Sequence, residues 1–256
     1  MSLRKMLLTL VALLAISVGA WWYFMPGESG IQSGEDVIRA MHESYVGEWY
    51  PYLTFRQETI YHSGGERQGS QTWHEALAVP GRLMIKFDSL GSGSGLVFRR
   101  DSQFVFQQNE LIQAAPRVHD LLVLGFDVYR QPPQETIAKL EGQGYDLSAV
   151  YEGEWQGRPA WVVGADSPED TTASRFWVDR EHLYFVRSVT RDPQDGSVSE
   201  TRFNDYRQIA GGWVAPEVLF YEDGQLTVEE QYSQIETPDS LPEGLFDAQD
   251  FRSARW

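Results

Sequence analysis

From Tyr52 onward the chain alternates. Leu53, Phe55 and Gln57 fall on one face and Thr54, Arg56 and Glu58 on the other, before a turn at Gly64-Gly65. A period of two places successive side chains on opposite faces of a half-buried strand. Short segments of the same kind follow at 70–78, 82–88, 96–100, 103–107 and 110–114, separated by Pro80-Gly81, Gly91 to Gly95, Asp101-Ser102 and Asn109. These are turn-forming residues, so the run reads as an antiparallel meander. The alternation resumes at 147–155, 160–165, 174–179, 184–191, 197–206, 213–221 and 226–234, with Gln156-Gly157, Asp195-Gly196, Gly211-Gly212 and Asp223-Gly224 at turns. About a dozen strands without a βαβ rhythm predict one large curved antiparallel sheet or barrel.

Three segments have helical spacing instead. Val37, Met41 and Tyr45 recur at that spacing behind the acidic Glu35-Asp36, which predicts an amphipathic helix over 34–46. Helical runs at 117–125 and 135–143 interrupt the strands, the second introduced by Pro132-Pro133. Residues 26–33 read as a linker. Residues 1–25 begin with Arg4 and Lys5 and continue as an apolar run from Met6 to Met25, the pattern of an export signal. Two readings stand for that run: a signal cut after Val18-Gly19-Ala20, or an anchor in the inner membrane with Trp21 to Phe24 as an interfacial belt. Both put residues 34–256, the expected single domain, outside the cytoplasm.

Charge and composition narrow the function. The formal net charge is −16 over 256 residues, with lysine only at positions 5, 86 and 139. Such a surface repels polyanions at long range, which argues against nucleic-acid binding. The chain has no cysteine, so disulfides, thiolate metal sites and a lipidated cysteine are excluded. The core must hold the fold unaided.

With those elements in order, the chain resembles the periplasmic lipoprotein-carrier superfamily, the LolA/LolB-like fold that also includes a periplasmic regulator of an anti-sigma factor. The resemblance rests on the opening helix and the following Phe55-Arg56-Gln57 strand, on Pro80-Gly81-Arg82-Leu83, and on Phe203-Asn204-Asp205-Tyr206, Gly212-Trp213, Pro216, Glu230 and Leu245-Phe246. It implies a mainly β (α+β) domain: an incomplete barrel of about eleven strands, covered by about three short helices, with an apolar cavity for acyl chains. The helices at 117–125 and 135–143 are then its lid.

Parity nominates an apolar face made of Phe55, Leu83, Ile85 and Phe87, then Leu96 and Phe98, Phe104 and Phe106, Trp161 and Val163, and Phe185 and Val189. That face is plain core in a closed globule and the wall of a ligand cavity in an open half-barrel. The lid run around Leu121 and Leu122 is more apolar than a surface helix requires. Chemistry is harder to find. The five histidines show no HxH or HExxH spacing, so no metal and no cofactor is expected. His119-Asp120 reads as a solvated polar face, Glu229-Glu230 as outer-face charges, and Ser92 to Gly95 as a hairpin tip lacking the strand-to-helix turn of a nucleophile elbow. Arg82, Arg99 and Arg100 meet either a lipid headgroup or ordinary carboxylates. The leading expectation is a non-catalytic binder of lipid acyl chains or lipidated protein. An interaction module regulating a membrane signalling partner is the alternative, and a cleft enzyme is the third.

Overall fold

The computed structural model describes residues 30–256, of which Ser33–Trp256 form one compact unit. The signal or anchor expected at 1–25 lies outside the described residues. Among the described residues no helix is long and apolar enough to cross a membrane.

Thirteen strands pair antiparallel in one sheet. The first six run as a meander: β1 (Tyr52–Ser63), β2 (Glu66–Ala78), β3 (Arg82–Phe87), β4 (Gly95–Arg99), β5 (Ser102–Gln107) and β6 (Glu110–Pro116). After the helices come β7 (Val150–Trp155), β8 (Arg158–Val163), β9 (Arg175–Asp179), β10 (Phe185–Arg191) and β11 (Val198–Asn204), then β14 (Glu217–Glu222) and β15 (Gln225–Glu236). β15 returns to pair with β1, with Thr59 opposite Glu230, and so joins the two halves. The strand order is β6-β5-β4-β3-β2-β1-β15-β14-β11-β10-β9-β8-β7, and the two ends do not meet. The sheet is therefore an unclosed barrel.

Two strands predicted from sequence are shorter than the pattern suggests. Asp205 takes a left-handed backbone (φ 57°), which stops β11, and the following Arg207–Ile209 (β12) and Gly212–Val214 (β13) pair only with each other.

Helix α1 (Gly34–Tyr45) starts with a capping box, the Ser33 hydroxyl accepting from the Asp36 amide while the Asp36 carboxylate accepts from the Ser33 amide. Its buried Val37, Ile38 and Met41 lie over the inner face of the sheet. Contact is so close that a Cβ on Gly34 would sit 2.2 Å from Val163 Cγ1. Trp49 stacks on Tyr129 at 3.7 Å beside it. α2 (Asp120–Gly125) is shorter than the helix predicted at 117–125, because the His119 imidazole caps it, accepting from the Leu122 amide at 3.4 Å, and Arg117 and Val118 precede the cap. α3 (Pro133–Gly142) completes the inner layer.

The outer face is covered twice. Over β2 to β5, Ala76, Met84, Val97 and Phe106 pack against the C-terminal residues Leu245, Phe246 and Phe251. The buried Lys86 ammonium donates to the Phe251 and Ser92 carbonyls and lies 3.4 Å from the centre of the Phe251 ring, so the loop at Ser92 is anchored. Over β8 to β10, Val162, Trp177 and Val186 pack with Tyr184 against Tyr206 and Trp213.

Candidate functional site

The inner face carries two kinds of surface. Towards β7–β9 it is filled by α1, α3 and the turn at Asp127–Tyr129. Over the remaining strands it encloses a cavity of about 620 Å³. Phe55, Leu77, Leu83, Ile85 and Phe98 form one wall. Val218, Phe220 and Phe203 form the other, with Leu121, Leu122 and Phe126 of the α2 segment at its edge.

The structure divides the nominated residues, and Val189, nominated with Phe185, packs instead on the outer cluster of Val162, Trp177 and Val186, because a bulge between Phe185 and Arg187 breaks the alternation. Phe55, Leu83, Ile85, Phe98, Leu121 and Leu122 line the cavity. Phe87 stands next to it, its ring 5.0 Å from that of Trp73, which lines the cavity. Val163 and Trp161 share the inner face, but there Val163 meets α1 and Trp161 lies under the Arg180 guanidinium, 4.3 Å away. Phe185 is fully buried against Phe203. These three belong to the filled part of the half-barrel.

Phe104 and Phe106 point the opposite way. In the β4–β5 ladder Val97 faces Phe104 and Gly95 faces Phe106, whereas Leu96 and Phe98 face Val105 and Gln103. The inward positions of β5 are thus Gln103 and Val105. Phe106 stacks on Phe251 at 4.0 Å in the outer core, and Phe104 packs at the edge of the same cluster. A single-residue change of parity moves a whole strand's set of side chains across the sheet. Here the most aromatic face of β5 serves the C-terminal segment.

Two of the three rim arginines, Arg82 and Arg99, have protein partners. Arg99 pairs with Asp247, and the Arg82 guanidinium lies 5.5 Å from the Phe246 ring, both holding the C-terminal segment. His119, expected on a solvated face, is half-buried with its ring edge-on to Phe98 at 4.9 Å, and burial lowers its pKa.

Sequence reasoning missed the polar groups among the apolar walls. Glu75 of β2 and Glu230 of β15 both line the cavity. Burial, with Glu230 nearby, holds the Glu75 carboxyl well above the usual range. Burial likewise raises Glu230 to about 7, although it accepts the Tyr232 hydroxyl at 3.1 Å. Tyr232 stacks on Phe55 at 4.1 Å. Ser188, Ser199 and Thr201 add hydroxyls from β10 and β11. Glu230, read from the sequence together with Glu229 as an outer-face charge, instead faces the cavity; β15 carries polar residues on both faces, so alternation could not separate the two.

A second cleft, about 530 Å³, opens on the outer side near Trp155, Asn204 and Arg207. It contains the buried Asp179, whose carboxylate meets Arg158 Nε at 2.8 Å and His182 Nδ1 at 3.2 Å. Burial opposes ionisation there, but these partners and the His182 amide outweigh it and hold Asp179 below its ordinary value. Because the same carboxylate also accepts the Glu181 amide at 3.0 Å, it stabilises the β9–β10 turn. Among the described residues no cluster of histidines and carboxylates suits a metal ion.

No protein-family model matches the chain, and no curated protein does. Three solved structures share its architecture. A DUF1329 family protein from Desulfovibrio piger is 14% identical with a TM-score of 0.57, covering 84% of this chain and 95% of its own. A putative outer membrane lipoprotein-sorting protein domain from Vibrio parahaemolyticus is 13% identical at a TM-score of 0.56, covering 84% and 97%. A LolA superfamily protein from Nitrosomonas europaea is 12% identical at 0.53, covering 82% and 96%. At these identities the likeness is one of fold, and the chain has the LolA-like fold: an antiparallel half-barrel, not closed, with three helices on its inner face.

Proposed function

We propose that this protein binds the acyl chain of a lipid or lipidated protein in the half-barrel cavity, outside the cytoplasm, as a carrier or holder without chemistry of its own. The observation that carries this reading is the division of the inner face. One half is packed solid, while the other leaves about 620 Å³ between walls of Phe, Leu, Ile and Val. That volume falls within the roughly 300–1,000 Å³ of small-molecule sites. The fold shared with a lipoprotein-sorting domain and a LolA superfamily protein supports it. The apolar run at 6–25 supports a location beyond the inner membrane.

Burial supplies the affinity. About 0.8 kcal/mol per methylene gives a chain of about twelve carbons close to 10 kcal/mol. At least about 4 kcal/mol is lost on association, so binding stays reversible. α2, only six residues long, is the element placed to move aside and admit a chain.

Native mass spectrometry of the full chain, purified from an exporting host, tests this. Co-purified fatty acid or phospholipid is expected, and Leu122→Asp at the cavity edge is expected to remove it. A lipid-free mass that acquires no lipid on incubation would contradict the reading.

A further inference from the structure

Two carboxyl groups face the cavity, and neither is ion-paired among the described residues. Glu75 and Glu230 flank β1 from opposite sides, Glu75 opposite Phe55 and Glu230 opposite Thr59. Glu75 is 6% exposed, faces the cavity, and has neither a hydrogen bond nor an ion pair among the described residues. Between the two carboxyls, on the same face of β1, lies Gln57, 1% exposed. Its Nε2 donates to Thr59 Oγ1 at 2.8 Å, and its Oε1 is buried without a partner. Glu230 accepts from the Tyr232 hydroxyl at 3.1 Å and also meets the Gln57 side chain.

No cation balances it. Among the described lining residues Arg117 is the only cationic side chain, and it is exposed and donates to Gln103 Oε1 at 3.2 Å. The other titratable lining groups are Tyr61 of β1, Tyr232 of β15, and His119 and Asp120 at the start of α2. Buried acceptors left without donors are rare in folded proteins, and an unpaired buried carboxylate is costly. The cavity avoids that cost by keeping the carboxyls protonated, and a cation from outside would let them ionise.

We propose, building on the acyl-binding reading, that Glu75 and Glu230 form a headgroup site and that the ligand is an amphiphile whose hydrocarbon chain carries a protonated amine. The ammonium's N–H donors meet the two carboxyls, while the Phe and Leu walls take the chain. A cation draws the carboxyls into their ionised form, so binding releases protons. Affinity therefore strengthens as pH rises through about 7, where Glu230 titrates.

The full chain is titrated calorimetrically with dodecylamine, dodecanol and dodecanoic acid, in two buffers of different ionisation enthalpy. The amine is expected to bind about tenfold more tightly than the alcohol, as charge-assisted hydrogen bonds allow, with the acid weakest and proton release seen only for the amine. In the Glu75→Gln/Glu230→Gln double variant the amine preference should vanish while dodecanol still binds, which also reports an intact fold. Equal affinity for amine and alcohol, or a preference that survives the double variant, overturns the headgroup site and leaves acyl binding standing. Failure of all three ligands overturns both.

Discussion

Adjacent glutamates on β15 meet opposite environments. Glu229 faces outward and pairs with His62 at 3.4 Å, while Glu230 faces the cavity and keeps its proton up to about 7. In the unfolded chain Glu230 titrates near 4.5. Its folded value is raised, so its contribution to stability is fully present below 4.5 and is lost as pH climbs to about 7. The loss is on the order of 3 kcal/mol. Glu230→Gln should therefore flatten the fall in thermal stability across that window and raise the melting temperature at pH 8, with little change at pH 4. A variant that melts in parallel with the parent at every pH would show that Glu230 is solvated. The sequence did not reveal this asymmetry: Thr227, Glu229 and Gln231 face out while Val228, Glu230 and Tyr232 face in, so both faces look polar and parity has nothing to grip. Where one face was plainly apolar, as at Leu83 and Ile85, parity found the cavity wall.

At the scale of elements, hydrophobic alternation recovered the strands and the three helices, and the departures arose where other residues intervened. β5 was placed the wrong way round because Phe104 and Phe106 outweigh Gln103 and Val105 in hydrophobicity. What captures that aromatic face is Leu245 to Phe251, which reads as an irregular tail in sequence and shows no period. Phe106→Ala and Phe251→Ala should each cost about 3–4 kcal/mol in chemical denaturation and leave acyl binding unchanged. Combined, they should cost less than their sum, since they remove the same stack. Additive losses would mean that the two rings stabilise the fold independently. Gly34 offers a second check. A methyl there meets Val163 Cγ1, so Gly34→Ala should destabilise by about 1–3 kcal/mol, while Gly30→Ala, with open space around it, should be neutral.

The whole molecule is a sheet whose two faces are put to different uses. Its outer face is closed by the C-terminal segment and the β12–β13 hairpin; its inner face is filled at one end and hollow at the other. The nominated apolar face divides along that line, with Val163 and Phe185 in core and Phe55 and Phe98 at the cavity. Nothing in their sequence context separates the two groups, because burial against α1 and burial against a ligand demand the same side chains. The division is made by α1, which Gly34 allows to sit close over β8 and which leaves the other end of the sheet uncovered. Tryptophan positions make the claim directly measurable. Trp73 lines the cavity, whereas Trp155 and Trp177 pack on the outer face. The measurement is quenching of tryptophan fluorescence by dodecanol brominated at its tail, a contact-range effect, in the parent and in Trp73→Phe and Trp177→Phe variants. A chain held in the half-barrel quenches a saturable component that disappears with Trp73→Phe and persists with Trp177→Phe. Quenching that survives loss of Trp73, or never saturates, would contradict an acyl-binding cavity on the inner face.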